Sequence, residues 1–225
     1  MLVGLWQRQV PVDLILFADP GGEQPHTYEY LESMERWLLE RGMPPITRVW
    51  YTTKDGERLT LEQECLRSGS LPSIAYGHKK CSLKHKVTPQ EKFCNHHPGC
   101  RDAWAKGEKV VKLIGYDAGE ERRRTKALPH DLQDPKYRKE YPLMDWGWYR
   151  GDCIQAIQSA GLPLPGKSSC FFCPSMKLRE IRTLYHQYQE LLERALAIED
   201  NARPNLRTVR GLGRAFAWRD FILAD

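Results

Sequence analysis

The chain predicts an α/β fold with parallel strands, and three stretches carry that expectation. "VDLILFA", residues 12–18, is a short apolar run of β-formers leading into "DPGGE", the pattern of a buried strand that ends in a Gly-rich turn. "HTYEYLESMERWLLERG", residues 26–42, repeats apolar and aromatic side chains at three and four (Tyr30, Met34, Trp37, Leu38) and closes on Gly42, as a helix with a glycine C-cap does. "ITRVWYTT", residues 46–53, restores a strand pattern. Strand, helix and strand in this order make a βαβ crossover, whose strands run parallel.

The later elements follow the same logic. "KVVKLIGYDAGEERRR" gives an apolar strand over Lys109–Tyr116 that runs into a turn and a charged segment. Between the two halves, residues 58–85 show a short helical pattern and then a basic, small-residue loop, and "TPQEKFCNHHPGC" puts Pro89 where a helix starts. "PSMKLREIRTLYHQYQELLERALAIEDNAR" is helical, with Ile181, Leu184, Tyr188, Leu191 and Leu192 on one core-facing side. No repeat or low-complexity linker marks a boundary. The expectation is one domain over residues 1–225, with 1–145 an α/β core and 146–225 a Cys-containing helical part.

Composition bounds the function. A chain of 225 residues, 41% hydrophobic and 28% charged, can bury a substantial core and is not a long disordered segment. No apolar run approaches the ~18–20 residues of a membrane span, and "MLVGLWQRQV" lacks the features of a signal peptide. A cytoplasmic location and no membrane partner are therefore expected. There, seven cysteines point to metal binding, chemistry or burial rather than to disulfides. The net charge of +5 suits an anionic ligand or nucleic acid but falls short of a dedicated nucleic-acid binder.

In an open parallel sheet, ligands gather outside the carboxyl ends of the strands, where glycines let backbone N–H groups approach phosphate. "DPGG" offers Asp19, Gly21 and Gly22, and "GYDAGEERRR" offers Gly115, Glu120 and Arg122, Arg123 and Arg124. The arginines suit a phosphate or sulfate clamp, and they equally suit a solvated helix start. In "KSSCFFCPSMK", Cys170 and Cys173 form a CxxC, which can be a redox pair, half of a metal site or two buried thiols. A redox pair belongs at a helix N-terminus after the first strand of its fold, and this one comes late. Metal ligation needs partners. Cys81 lies in a basic loop with His78 and His85 nearby, and Cys94 and Cys100 follow in "CNHHPGC", so a zinc or iron–sulfur site competes with simple burial. Cys65 and Cys153 fall in helical patterns and read as core, while His96 and His97 read as exposed.

Four ordered blocks, "DPGGEQPHTYEYLE", "CSLKHKVTP", "GYDAGEERRR" and "YPLMDWGWYRGDCIQAIQSAGLPLPGKSSCFFCP", together resemble the phosphoadenosine phosphosulfate (PAPS) reductase-like family. That family has the adenine-nucleotide α-hydrolase fold of the PP-loop ATP pyrophosphatases, so the resemblance implies a Rossmann-like parallel sheet flanked by helices. The resemblance spans nearly the whole chain. It implies that residues 1–145 bind an adenine nucleotide, ATP or an adenylate, with Mg²⁺. Asp19, Gly21, Gly22, Lys84, Lys86, Gly115, Glu120, Arg122 and Arg123 would be the contacting residues. It further implies that Cys81, Cys170 and Cys173 hold a [4Fe–4S] cluster or Zn²⁺. Cys94 is the expected fourth ligand, with His85 and Cys100 next in order.

The sequence departs from the family in three places. The Ser-Gly-Gly-x-x-Ser phosphate loop that opens the family pattern is not found before "VDLILFADPGG", and Met1 to Gln9 resembles the helix that follows that loop; a truncated start and a lost cradle both fit. The family's C-terminal Glu-Cys-Gly-x-His nucleophile has no counterpart after Cys173, so thioredoxin-dependent PAPS reduction is not expected. Ser82 stands where iron–sulfur relatives carry a second adjacent cysteine. The expected function is adenylate binding with action at the α-phosphate, its catalytic residues unassigned. The alternatives are a metal-stabilised binding or regulatory module and a subunit of a sulfur-transfer type nucleic-acid modification enzyme, with a nucleic-acid or protein partner.

Overall fold

A computed structural model describes residues 1–223. α1 (Leu2–Gln7), β1 (Ile15–Ala18), α2 (Pro25–Leu39), β2 (Ile46–Val49) and α3 (Leu61–Ser68) come first. α4 (Lys80–Ser82), a π-helical turn (Leu83–Val87) and α5 (Thr88–His96) then run on without a break. α6 (Pro98–Ala105), β3 (Val110–Leu113), α7 (Glu121–Gln133), β4 (Tyr137–Glu140), α8 (Pro142–Asp145) and α9 (Arg150–Ser159) lead to α10 (Leu178–Gln187), α11 (Gln189–Ala202) and α12 (Trp218–Leu223). The fold is mixed α/β, and its described strands pair as two two-stranded parallel sheets, β1 with β2 and β3 with β4. In the second sheet Val110 stands opposite Tyr137 and Leu113 opposite Glu140. No described helix is long and apolar enough to cross a membrane.

The chain folds as two compact units. One contains Met1–Ile15, Glu29–Ile46 and Lys92–Pro165, the other Leu16–Tyr28, Thr47–Glu91 and Gly166–Asp225. The part expected over 146–225 is thus divided at Pro165. In the first unit Val3, Met34, Trp37, Leu38, Ala156 and Leu162 form the core, and the Trp37 indole N–H reaches the Ala160 carbonyl at 3.0 Å. In the second, Phe171, Phe172, Ile181, Leu184, Ala195, Ile198, Leu212 and Trp218 are each no more than 1% exposed.

Local chemistry explains the boundaries. α2 stops at Leu39, and the chain tightens until the Gly42 and Met43 amides meet the Leu39 and Leu38 carbonyls at 3.1 and 3.0 Å. Gly42 takes φ +66° there, the left-handed cap expected of it. Thr60 and Gln63 form a reciprocal capping box that starts α3. The long apolar stripe of the last third is two helices rather than one, because Tyr188, at φ −139°, breaks the run between α10 and α11. Pro89 is the second residue of α5, near a helix start as expected, but that start adjoins the turn before it. It lies inside the continuous run from Lys80 to His96, where a missing N–H and a ring that crowds the carbonyl four residues back are incompatible with regular α geometry. The preceding turn widens to π, and the Thr88 hydroxyl donates to the Leu83 carbonyl at 3.1 Å.

Candidate functional site

The second unit gathers most of the sequence-predicted residues. β1 ends in Asp19, whose amide donates to the Val49 carbonyl at 2.8 Å, continuing the β1–β2 pairing. Its carboxylate oxygens are engaged locally: Oδ1 accepts from the Gly21 amide at 2.7 Å and the Tyr28 hydroxyl at 2.9 Å, and Oδ2 from Arg58 at 3.2 Å. Asp19 is therefore the staple of its own turn. Gly21, at φ +80°, has Thr60 Cγ2 2.3 Å from where a Cβ would sit, and Gly22 has the Phe172 ring at 2.6 Å. These glycines serve close protein packing. The turn is joined to the CxxC loop by an antiparallel bridge between Glu23 and Cys170, with the Phe171 amide on the Gly22 carbonyl at 2.8 Å and the Gln24 amide on the Ser169 carbonyl at 3.0 Å.

The π-helical turn sends three successive cationic or titratable side chains to carboxylates. Lys84 donates to Glu64 Oε1 at 2.8 Å, and His85 Nε2 meets Glu64 Oε2 at 2.5 Å. Lys86 reaches Glu23 at 2.6 Å, and the Ser168 hydroxyl donates to the other oxygen of that carboxylate at 2.9 Å. The Glu23 side chain is fully buried, so Lys86 is a partly exposed lysine that balances the charge of a buried acid. The hydrogen bond from His85, together with Lys84, holds the Glu64 carboxyl below its usual range against the opposing effect of burial. His85 is 1% exposed, and its Nδ1 has no hydrogen-bond partner.

Cys65, Cys81, Cys170 and Cys173 belong to or pack against the same core. Burial is the main force raising the Cys170 and Cys173 thiols, and the proximity of Cys81 and, for Cys170, of Glu23 and Cys173 adds to it, while Lys86 opposes it at Cys170. Burial first, then Glu64 and Cys81, pushes Cys65 up to about 12. Cys65, read from sequence as plain core, thus stands with this group. Cys94 belongs to the first unit, where it neighbours Cys100, whose thiol is pushed up to about 11 by burial first and Cys94 second. Among the described residues no group of three or more His, Cys, Asp and Glu stands in coordinating positions.

The second predicted turn lies in the first unit. Asp117 and Glu120 form a reciprocal cap there, with the Gly119 amide on Asp117 at 2.9 Å. Arg123 is hydrogen-bonded to Glu120 and lies 4.1 Å over the Tyr116 ring, and Arg124 lies 5.4 Å over Tyr141. Arg122 is exposed. A Cβ at Gly115 would meet nothing nearer than Met1 Sδ at 3.8 Å, so this glycine is not required by a close approach. His96 is exposed as expected, whereas His97 is half-buried with a partnerless Nδ1.

Compared with the models of known protein families, with curated proteins and with solved structures, the chain matches none.

Proposed function

We propose that this chain is an adenine-nucleotide-binding protein of the PAPS reductase-like kind, built on a Rossmann-like parallel arrangement and acting at the α-phosphate of ATP or a related adenylate. The observation that carries the reading is the π-helical turn beside the Asp-Pro-Gly-Gly-Glu turn, because π-turns inside helices concentrate at functional sites. This one brings Lys86 to a fully buried carboxylate and into the electrostatic field of Cys170 and Cys173. In this role Lys84 and Lys86 oppose charge on phosphate oxygens, with Mg²⁺ sharing that work. PAPS reduction is not part of the proposal. It needs an attacking thiolate, and burial disfavours the thiolate form of Cys170 and Cys173.

A thiolate-preferring metal centre, a [4Fe–4S] cluster or Zn²⁺, would be held by Cys81, Cys170 and Cys173. For the fourth place His85 is favoured over Cys94, because its buried Nδ1 lacks a partner among the described residues while Nε2 is held by Glu64, as carboxylates hold the other ring nitrogen of metal-ligating histidines. Such a centre would supply negative thiolate charge that Lys86 offsets. Calorimetric titration with ATP and Mg²⁺, on wild type and on Lys86→Met, tests the nucleotide reading; the expected result is weak binding that falls at least about tenfold in the variant. Undetectable ATP binding, or binding indifferent to the substitution, overturns it. A second reading, a non-catalytic module, is favoured by the self-neutralised state of the cations, since Lys84, Lys86 and Arg123 are all ion-paired. Release of AMP or pyrophosphate from ATP separates the two.

A further inference from the structure

Residues 206–217, between α11 and α12, read "LRTVRGLGRAFA" and place arginines at 207, 210 and 214 on a glycine-bearing frame. One buried side chain fixes that frame from beneath. Glu199, on α11 and 1% exposed, accepts the Leu212 amide at 2.7 Å, the Trp218 amide at 2.9 Å and the Arg219 amide at 3.1 Å. Glycine is required above it: a Cβ at Gly211 would stand 2.3 Å from Glu199 Oε2 and 2.7 Å from Ala217 Cα, and one at Gly213 would stand 2.5 Å from the Phe216 ring. The Arg210 amide closes on the Arg214 carbonyl at 2.7 Å, and the Arg214 amide on the Gly211 carbonyl at 2.9 Å. Arg214 is thereby held at φ +65°, a left-handed conformation that side chains with a long stem seldom adopt.

The arginines themselves stabilise nothing in the fold. Elsewhere in this unit Arg194 is bound to Glu62, and Arg203 and Arg219 to Asp200. Arg207, Arg210 and Arg214 are exposed, and among the described residues their side chains have no hydrogen-bond, ion-pair or ring partner. The nearby acids do not cancel them: Glu199 is committed to backbone amides and Asp200 to two other arginines. Among the described residues, Asp220, on α12, is the remaining exposed acid of this segment.

We infer that this arginine loop binds the phosphate backbone of a nucleic acid. A planar guanidinium matches phosphate bidentately. Three of them spaced three and four residues apart on an exposed segment suit a polymer with repeating phosphates better than one small anion held in a pocket. Because Glu199 and the glycines already fix the backbone, less conformational freedom is lost on binding. The inference does not depend on the nucleotide reading, which concerns other residues.

The test is fluorescence anisotropy with labelled single-stranded and duplex oligonucleotides on the full chain, comparing wild type with the Arg207→Gln/Arg210→Gln/Arg214→Gln variant across salt. Each phosphate contact contributes about 0.9 to the slope of log affinity against log salt, so three lost contacts flatten it by about 2.7. The wild-type advantage should accordingly shrink about fortyfold between ~50 and ~200 mM salt. Equal affinity, or equal slopes, overturns the inference. So does polyglutamate competing as well as unlabelled nucleic acid, since the surface would then read any polyanion or none specifically. Glu199→Gln raises the net charge by one yet loosens the loop. Weaker binding supports a built surface, and tighter binding means that net charge alone acts. The three arginines are exposed, so the triple variant decides the matter even where Glu199→Gln does not fold.

Discussion

The Glu23–Lys86 pair allows a sharp test of how burial apportions the cost of breaking an ion pair. Its two ends differ: the Glu23 side chain is 0% exposed and that of Lys86 is 37% exposed, with 2.6 Å between them. Lys86→Met leaves a carboxylate in the interior with the Ser168 hydroxyl at 2.9 Å, and stranding a buried charge in this way costs about 3–5 kcal/mol. Glu23→Gln strands an ammonium that already reaches water, and the amide can keep the Ser168 contact, so about 1–2 kcal/mol is expected. The double variant should cost less than the sum by about 1–3 kcal/mol, because the second change removes the orphan made by the first. Urea unfolding measures all three, with the midpoint moving and the slope constant. Equal losses from the two single variants, a reversed order, or simple additivity would refute the reasoning.

Three further outcomes follow from the same structure. Burial pushes Cys65 up to about 12 and Cys100 up to about 11 from an ordinary value of 9. The unfolded chain loses these protons first, so stability is intact below pH ~9 and falls above it by up to about 1.4 kcal/mol per pH unit per thiol; Cys65→Ala should flatten that fall in urea midpoints measured across alkaline pH. Gly22→Ala drives a Cβ to 2.6 Å from the Phe172 ring and should lower stability by about 1–3 kcal/mol, visible as a lower melting temperature. Co²⁺ titration should give thiolate charge-transfer absorption and release protons from the raised Cys170 and Cys173 thiols, so that apparent affinity climbs with pH. His85→Gln should alter the ligand-field bands, and bands unchanged in that variant but altered in Cys65→Ala would move the fourth place to Cys65.

Parts of this were legible in the sequence because they depend on local periodicity. The βαβ order from residue 12 to 53 and the left-handed cap at Gly42 need no tertiary information. The use of Asp19 does need it: Arg58 and Tyr28 reach the carboxylate from 39 and 9 residues away, and neither spacing is a motif. Glu199 left a readable signal. It follows Leu192, Ala195 and Leu196 at helical spacing and precedes Ala202, all buried, so a carboxylate stands on an apolar stripe, where a satisfied buried acid is the physical expectation. The partners of the cysteines need tertiary information as well. A cysteine pattern names candidate ligands, but which ones meet is decided by the path of the chain between them.

Pro89 links the sequence to the site most directly. In an unbroken α-helix, Lys84, His85 and Lys86 would project about 100° apart and could not all be served by one packed side. The proline prevents that helix from forming regularly, and the π-turn that replaces it over Leu83–Val87 adds backbone to the turn. The result is a division of labour along three consecutive residues. Lys84 and His85 share the two oxygens of Glu64, one from α3, while Lys86 reaches Glu23 in the turn after β1. That turn is itself bridged to Cys170, so a backbone irregularity set by one proline places a lysine, a histidine with an unused ring nitrogen and the CxxC loop in a single electrostatic neighbourhood. Replacing Pro89 by Ala returns the missing N–H and removes the ring that crowds the carbonyl of His85. A regular α-turn would then rotate Lys86 away from Glu23, so the structure ties the chemistry of the site to a residue that touches none of its charges.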